Sequence, residues 1–222
     1  MTLKELLAQS VQQRGDAVAL RYKRQERWHT VTYNELLAKV RRVAEILARF
    51  GVKPGDRVAI FRENAPEWPE IYFGIAGMAA TAVPVDAKLQ EQEVAHVLRD
   101  SGAKLLFSDA KYYPLLRDVE PHIPDMHTVV LTDGHEILPI HSRRIKYFDY
   151  DQLIKDVSDQ AGGERRAYDR HHPKDDDVAS FIYTSGTTGR QKGTMLTHRT
   201  FTANVPGCAQ AIRVRADDNV LL

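Results

Sequence analysis

Four short apolar runs, Arg57–Phe61, Thr81–Val85, Lys104–Ser108 and His127–Leu131, alternate with stretches of helical pattern at Pro66–Ala80, Gln90–Ser101 and Tyr112–Val119. Two strands that run parallel need a crossover between them, and a helix is the usual one. The spacing therefore predicts βαβ units: an α/β fold with a mainly parallel sheet and helices on both faces. A fifth run, Val178–Tyr183, returns after a polar interval.

The N-terminal part leads into this pattern. Leu3, Leu6, Leu7 and Val11 recur at helical spacing, and Ala17–Tyr22 and Arg27–Val31 read as a hairpin around a charged turn. Thr32 and Glu35 have capping-box spacing, and the helix behind them is expected to stop at Gly51. The longest uncharged stretch, Ile71 to Val85, is shorter than the ~20 apolar residues of a membrane span and reads as a buried helix followed by a buried strand. Residues 132–177 are polar and rich in His, Arg and Asp, with one helix expected around Gln152–Val157, so they read as a surface excursion. Thr200–Ile212 looks helical despite Pro206 and Gly207. The chain closes on Asn219-Val220-Leu221-Leu222, which reads as an interrupted strand and suggests a fragment with exposed apolar surface and possible self-association.

Composition narrows the function classes. At 43% hydrophobic and 27% charged, with a net charge of +1, the 222 residues give no global reason to expect nucleic acid or an acidic membrane as partner. The paired arginines are scattered and lack interleaved aromatics. One cysteine, Cys208, excludes an internal disulfide and fits a reducing, cytoplasmic setting. The charged N-terminus is no secretory signal.

The chemistry concentrates in Tyr183–His198, YTSGTTGRQKGTMLTH. Gly186, Gly189 and Gly193 are interleaved with Thr184, Ser185, Thr187, Thr188 and Thr194, and Arg190 and Lys192 add positive charge. Glycines let successive N–H groups point into one concavity, hydroxyls add short-reach donors, and a lysine supplies a point charge suited to phosphate. The stretch follows a strand, where open α/β sheets place their ligands. A flexible glycine-rich hairpin is the plain alternative. Neither the Walker A spacing nor the Gly-x-Gly dinucleotide fingerprint is present. The residues expected to hold polyphosphate are Thr184, Ser185, Gly186, Thr187, Thr188, Gly189 and Lys192.

Tyr183–Gly189 with Lys192-Gly193 and Met195–His198 resembles the signature loop of the adenylate-forming (AMP-binding) superfamily, which includes acyl-CoA synthetases, luciferases and peptide-synthetase adenylation domains. Thr32–Leu36, Gly51–Ile60 and Val83–Asp86 agree, so the resemblance covers nearly the whole chain, and Glu63–Trp68 looks most like long-chain fatty acid–CoA ligases. It implies that residues 1–222 are the N-terminal part of the AMP-binding domain, an incomplete portion of the large domain of an acyl-CoA synthetase-like fold. It also implies the chemistry. A carboxylate attacks the α-phosphate of ATP, carried with Mg, pyrophosphate leaves, and a thiol, usually that of coenzyme A, takes the acyl group. The loop would hold the β- and γ-phosphates. The family's adenine-binding, metal-binding and catalytic-lysine segments lie beyond residue 222, so no catalytic residue or metal ligand is assigned and the fragment alone is expected to be inactive. The rival is a non-catalytic nucleotide-binding or protein-pairing module that keeps only the phosphate loop. Gln191 stands where the family most often has proline, Thr194 where it often has valine, and Ala79 near where relatives often carry glycine.

Other candidates have plainer readings. Asp175–Asp177 reads as a solvated strand entry rather than a metal cluster, and His171-His172 as surface loop. His198 either borders the site or caps the following helix. Cys208 is expected to be a small core residue.

Overall fold

The computed structural model of the chain describes residues 1–134, 137–140, 142–159, 167–184, 191–215 and 218. In chain order, its α-helices are α1 (Leu3–Arg14), α2 (Tyr33–Arg49), α3 (Glu67–Gly77), α4 (Glu91–Ser101), α5 (Tyr113–Val119), α6 (Tyr150–Asp159), α7 (Ala167–Arg170) and α8 (His198–Ala211). The strands are β1 (Val18–Arg24), β2 (Arg27–Thr32), β3 (Arg57–Phe61), β4 (Thr81–Val85), β5 (Leu105–Asp109), β6 (Thr128–Thr132), β7 (Lys146–Asp149), β8 (Val178–Thr184) and β9 (Lys192–Thr197).

β1 and β2 form a separate hairpin, and the other strands make a seven-stranded sheet in the order β7-β6-β5-β3-β4-β8-β9. Every neighbour is parallel except β8 and β9, which pair antiparallel. Side chains on a strand alternate between faces. Val58 and Ile60 of β3 accordingly join one buried cluster with α2 and α3, while Ala59 and Phe61 join another with α4 and α5. Leu105 and Phe107 against Leu106, and Val130 against Val129 and Leu131, divide in the same way. Both faces are thus covered, as the βαβ spacing predicts.

The expected caps form. Thr32 Oγ1 accepts from Glu35 N at 3.2 Å and Glu35 Oε2 accepts from Thr32 N at 2.8 Å. Three helices then end alike. After α2, Gly51 N donates to Ala48 O and Val52 N to Leu47 O, with Gly51 at φ +73°. After α4, Gly102 at φ +61° makes the equivalent bonds. After α3 the same pair runs from Ala79 N to Ala76 O and from Ala80 N to Ile75 O, and Ala79 is held at φ +56°. This motif favours glycine at the left-handed position, so the alanine at 79 carries a strain that the two glycines avoid.

The stretch 132–177 departs from the surface reading. It contains β7, which extends the sheet beside β6, and α6 and α7, whose Tyr150, Leu153, Val157, Ala167 and Tyr168 are buried in the cluster on α2 and α3. An edge strand is recruited through backbone hydrogen bonds, which composition does not report. The polar residues around these side chains mask their few anchors.

Candidate functional site

The hairpin β8–β9 carries the sequence's phosphate motif at the end where Thr184 pairs with Lys192. Its register pairs Ile182 with Thr194, Tyr183 with Gly193 and Thr184 with Lys192. Thr184 and Lys192 therefore face each other across the last rung, and both are exposed. Ser185, Gly186, Thr187, Thr188 and Gly189, also expected to hold phosphate, lie outside the described residues.

The hairpin is held on two sides. On one side β8 meets β4: Thr81 Oγ1 donates to Val178 O at 2.9 Å, and the Tyr72 hydroxyl and Ser180 Oγ share a hydrogen bond at 3.1 Å. On the other side stands α4. The Tyr183 hydroxyl donates to Asp100 Oδ2 at 2.7 Å, and His96 Nε2 lies 2.8 Å from Gln191 O. A carbonyl can only accept, so Nε2 carries a proton. Burial, and then the Asp100 carboxylate, raise the Tyr183 phenol above its ordinary value and keep it a donor.

Gly193 has a packing reason of its own. A Cβ there would fall 2.9 Å from Tyr183 Cζ, so glycine lets the Tyr183 ring cross the neighbouring strand. Sequence reasoning missed His96 and Asp100. Their spacing of four residues puts them on one face of a helix, but their partners stand 95 and 83 positions away.

A cleft of about 520 Å³ opens beside the hairpin at the carboxyl ends of β3, β4 and β8, lined by Arg62, Trp68, Val85, Lys88, Ile182 and Tyr183 among others. Its floor is braced by Arg62, whose side chain is 4% exposed. Arg62 Nη2 lies 3.3 Å from Glu67 Oε2 and 3.1 Å from Asp109 Oδ1. Asp109 also accepts from Thr132 Oγ1 at 2.8 Å and from Glu63 N at 3.1 Å. The buried arginine thus ties the ends of β3 and β5 to the start of α3.

Two secondary expectations need correction. His198 neither caps α8 nor lies at the Thr184–Lys192 end of the hairpin, its N–H instead donating to Asp177 O at 3.1 Å. Thr197 is the cap, accepting from Thr200 N at 3.2 Å, while His198 is fully buried with Nδ1 accepting from Leu3 N at 3.2 Å. The ring pins the N-terminus. Cys208 is exposed rather than core, with its Sγ donating to Asn204 Oδ1 at 3.6 Å. α8 buries only its first turns, at His198 and Thr202, and leaves Val205 45% exposed, with Ile212 just beyond its end 73% exposed. Asp175 and Asp176 do sit at a charged strand entry, Asp175 paired with the N-terminal amine at 3.1 Å and Asp176 with Arg199 at 3.0 Å. Among the described residues, no group of three or more His, Cys, Asp or Glu could hold a metal ion, and no helix is long and apolar enough to cross a membrane.

The fold is a mainly parallel α/β sheet covered on both faces, with a glycine- and threonine-rich hairpin at its strand ends. Residues 7–222 match the family of AMP-binding enzymes, and the chain belongs to that family. It is 34% identical over 174 residues to the fatty acid–[acyl-carrier-protein] ligase ScoC of Streptomyces coeruleorubidus, a match covering 78% of this chain and 29% of the relative. It is 30% identical over 192 residues to the long-chain-fatty-acid–CoA ligase FadD13 of Mycobacterium tuberculosis, covering 86% and 34%. In structure it resembles the inhibitor-bound N-terminal domain of FACL13 from Mycobacterium tuberculosis, with a TM-score of 0.75 and 26% identity, covering 100% of this chain and 50% of that one. The chain spans about a third of the length of these curated relatives.

Proposed function

We propose that this chain is the N-terminal part of the AMP-binding domain of an ATP-dependent acid–thiol ligase, and that its share of the reaction is to hold the β- and γ-phosphates of ATP. The observation that carries this reading is the register of the hairpin, which sets the Thr184 hydroxyl-bearing residue opposite Lys192 at the end of β8. A hydroxyl and an ammonium there supply hydrogen-bond donors and one positive charge to a leaving pyrophosphate, which is positioning and electrostatic stabilisation rather than covalent catalysis. Ser185, Gly186, Thr187, Thr188 and Gly189 are proposed to complete the grip.

The acyl substrate is proposed to be a long-chain fatty acid and the acceptor coenzyme A. The Glu63–Trp68 stretch and the likeness to a long-chain fatty acid–CoA ligase support this. Mg is proposed to enter with ATP, as the family resemblance implies. A cytoplasmic location fits the single cysteine.

Titration calorimetry of the 222-residue chain with Mg-ATP tests the phosphate reading. Saturable binding is expected, weakened about tenfold or more by Lys192→Met, the scale of a charge-assisted hydrogen bond. Equal affinity in the variant would overturn it. Fatty-acid-dependent ATP–pyrophosphate exchange is expected to be absent, because the relatives are about three times longer than the matched region; measurable exchange would show the rest of the domain to be dispensable.

A further inference from the structure

The two described phosphate candidates each sit one residue beyond a side-chain anchor on α4. Thr184 follows Tyr183, whose hydroxyl donates to Asp100, and Lys192 follows Gln191, whose carbonyl accepts from His96. The anchors are themselves in contact, the His96 and Tyr183 rings meeting edge to face with centroids 6.4 Å apart. Gly193 leaves the space that the Tyr183 ring occupies. One helical face therefore grips the outgoing and the returning strand of the hairpin at the same level. The Gln191 side-chain oxygen is buried with no hydrogen-bond partner among the described residues.

We propose that His96 and Asp100 are positioning residues for the phosphate site: by fixing Gln191 and Tyr183 they set the separation and direction of Lys192 and Thr184. A rigid frame holds donors in place before the ligand arrives, so less ordering is left to binding. Losing either anchor frees one strand end to move relative to the other. The inference rests on the phosphate reading of the hairpin.

Mg-pyrophosphate is the probe, because it presents only the group this site is built to hold. In the 222-residue chain, His96→Phe and Asp100→Leu are each expected to weaken its binding about 3- to 10-fold, the size of one hydrogen bond. Asp100→Asn keeps a side-chain oxygen for the Tyr183 hydroxyl and is expected to restore binding. In a Tyr183→Phe background, Asp100→Leu is expected to have no further effect, since the pair is already broken. Amide exchange at 192–194 should quicken in the weakened variants while the unfolding midpoint of the chain stays close to that of the parent, a combination that general destabilisation does not produce. Should Asp100→Leu unfold the chain, Tyr183→Phe carries the same test by deleting one hydroxyl. Unchanged affinity in folded His96→Phe and Tyr183→Phe would overturn the proposal and leave the phosphate reading standing. No binding by the parent chain would overturn that reading, and this inference with it.

Discussion

Two residues hold conformations or protonation states that the rest of the chain imposes on them. Ala79 sits at φ +56° with its carbonyl accepting from Gly55 N at 2.8 Å, in a helix ending where Gly51 and Gly102 occupy the equivalent position. A left-handed conformation costs a residue with a Cβ ~1–2 kcal/mol, and glycine gives back part of that through its freer unfolded chain. Ala79→Gly is therefore expected to stabilise the chain by about 0.5–1 kcal/mol, read as a higher urea midpoint at unchanged slope. His198 accepts the Leu3 N–H at Nδ1 and is fully buried. Burial holds its imidazole below the ordinary value, while Asp177, Glu5 and Asp175 pull the other way and the N-terminal amine adds to the lowering. The unfolded chain takes up this proton near pH 6.5, and the folded chain resists it. Stability is thus fully present above about pH 6.5 and is lost as pH falls through the lower folded value. His198→Asn keeps an acceptor for Leu3 without titrating, and unfolding curves between pH 5 and 7 (a range of about two units around the imidazole value) should flatten in that variant.

Among the elements, α7 shows how a short segment can matter more than its length. Tyr168 is 3% exposed and lies against Gly77 at the end of α3, where a Cβ would meet its ring at 2.0 Å. Lys4 reaches over the same ring, 4.4 Å from its centroid, so α1, α3 and α7 meet there. Gly77→Ala should cost about 1–3 kcal/mol, the usual size of an overpacking strain, and Tyr168→Leu in the same chain should recover part of it in thermal unfolding. The sequence made the central elements legible for a physical reason. Strands buried on both faces are short continuous apolar runs, and β3 and β4 coincide with the expected Arg57–Phe61 and Thr81–Val85. α7 and β7 lacked that signal. Four residues, Ala167–Arg170, are too few for a helical period, and β7 offers only Tyr147 and Phe148 between the polar Lys146 and Asp149. At the hairpin, the strand and the Thr/Lys chemistry could be read locally. The α4 anchors could not, because Asp100 and His96 acquire meaning only when the sheet order brings β8 and β9 beside them.

At the scale of the molecule, the sheet brings its functional groups to one end. β3, β4 and β8 release their chains around the cleft beside Tyr183, and β9, antiparallel to β8, sets Lys192 at the same level as Thr184. The buried Arg62 network and the α4 anchors stiffen the two walls of that end. The proposed function makes this hairpin the place where ATP phosphates are held. The most direct measurement is amide hydrogen exchange of the 222-residue chain with and without saturating Mg-ATP. Protection is expected to concentrate on the amides of 183–194 and to be weaker in Lys192→Met at the same Mg-ATP concentration. Protection confined to another region, or none at saturation, would contradict it.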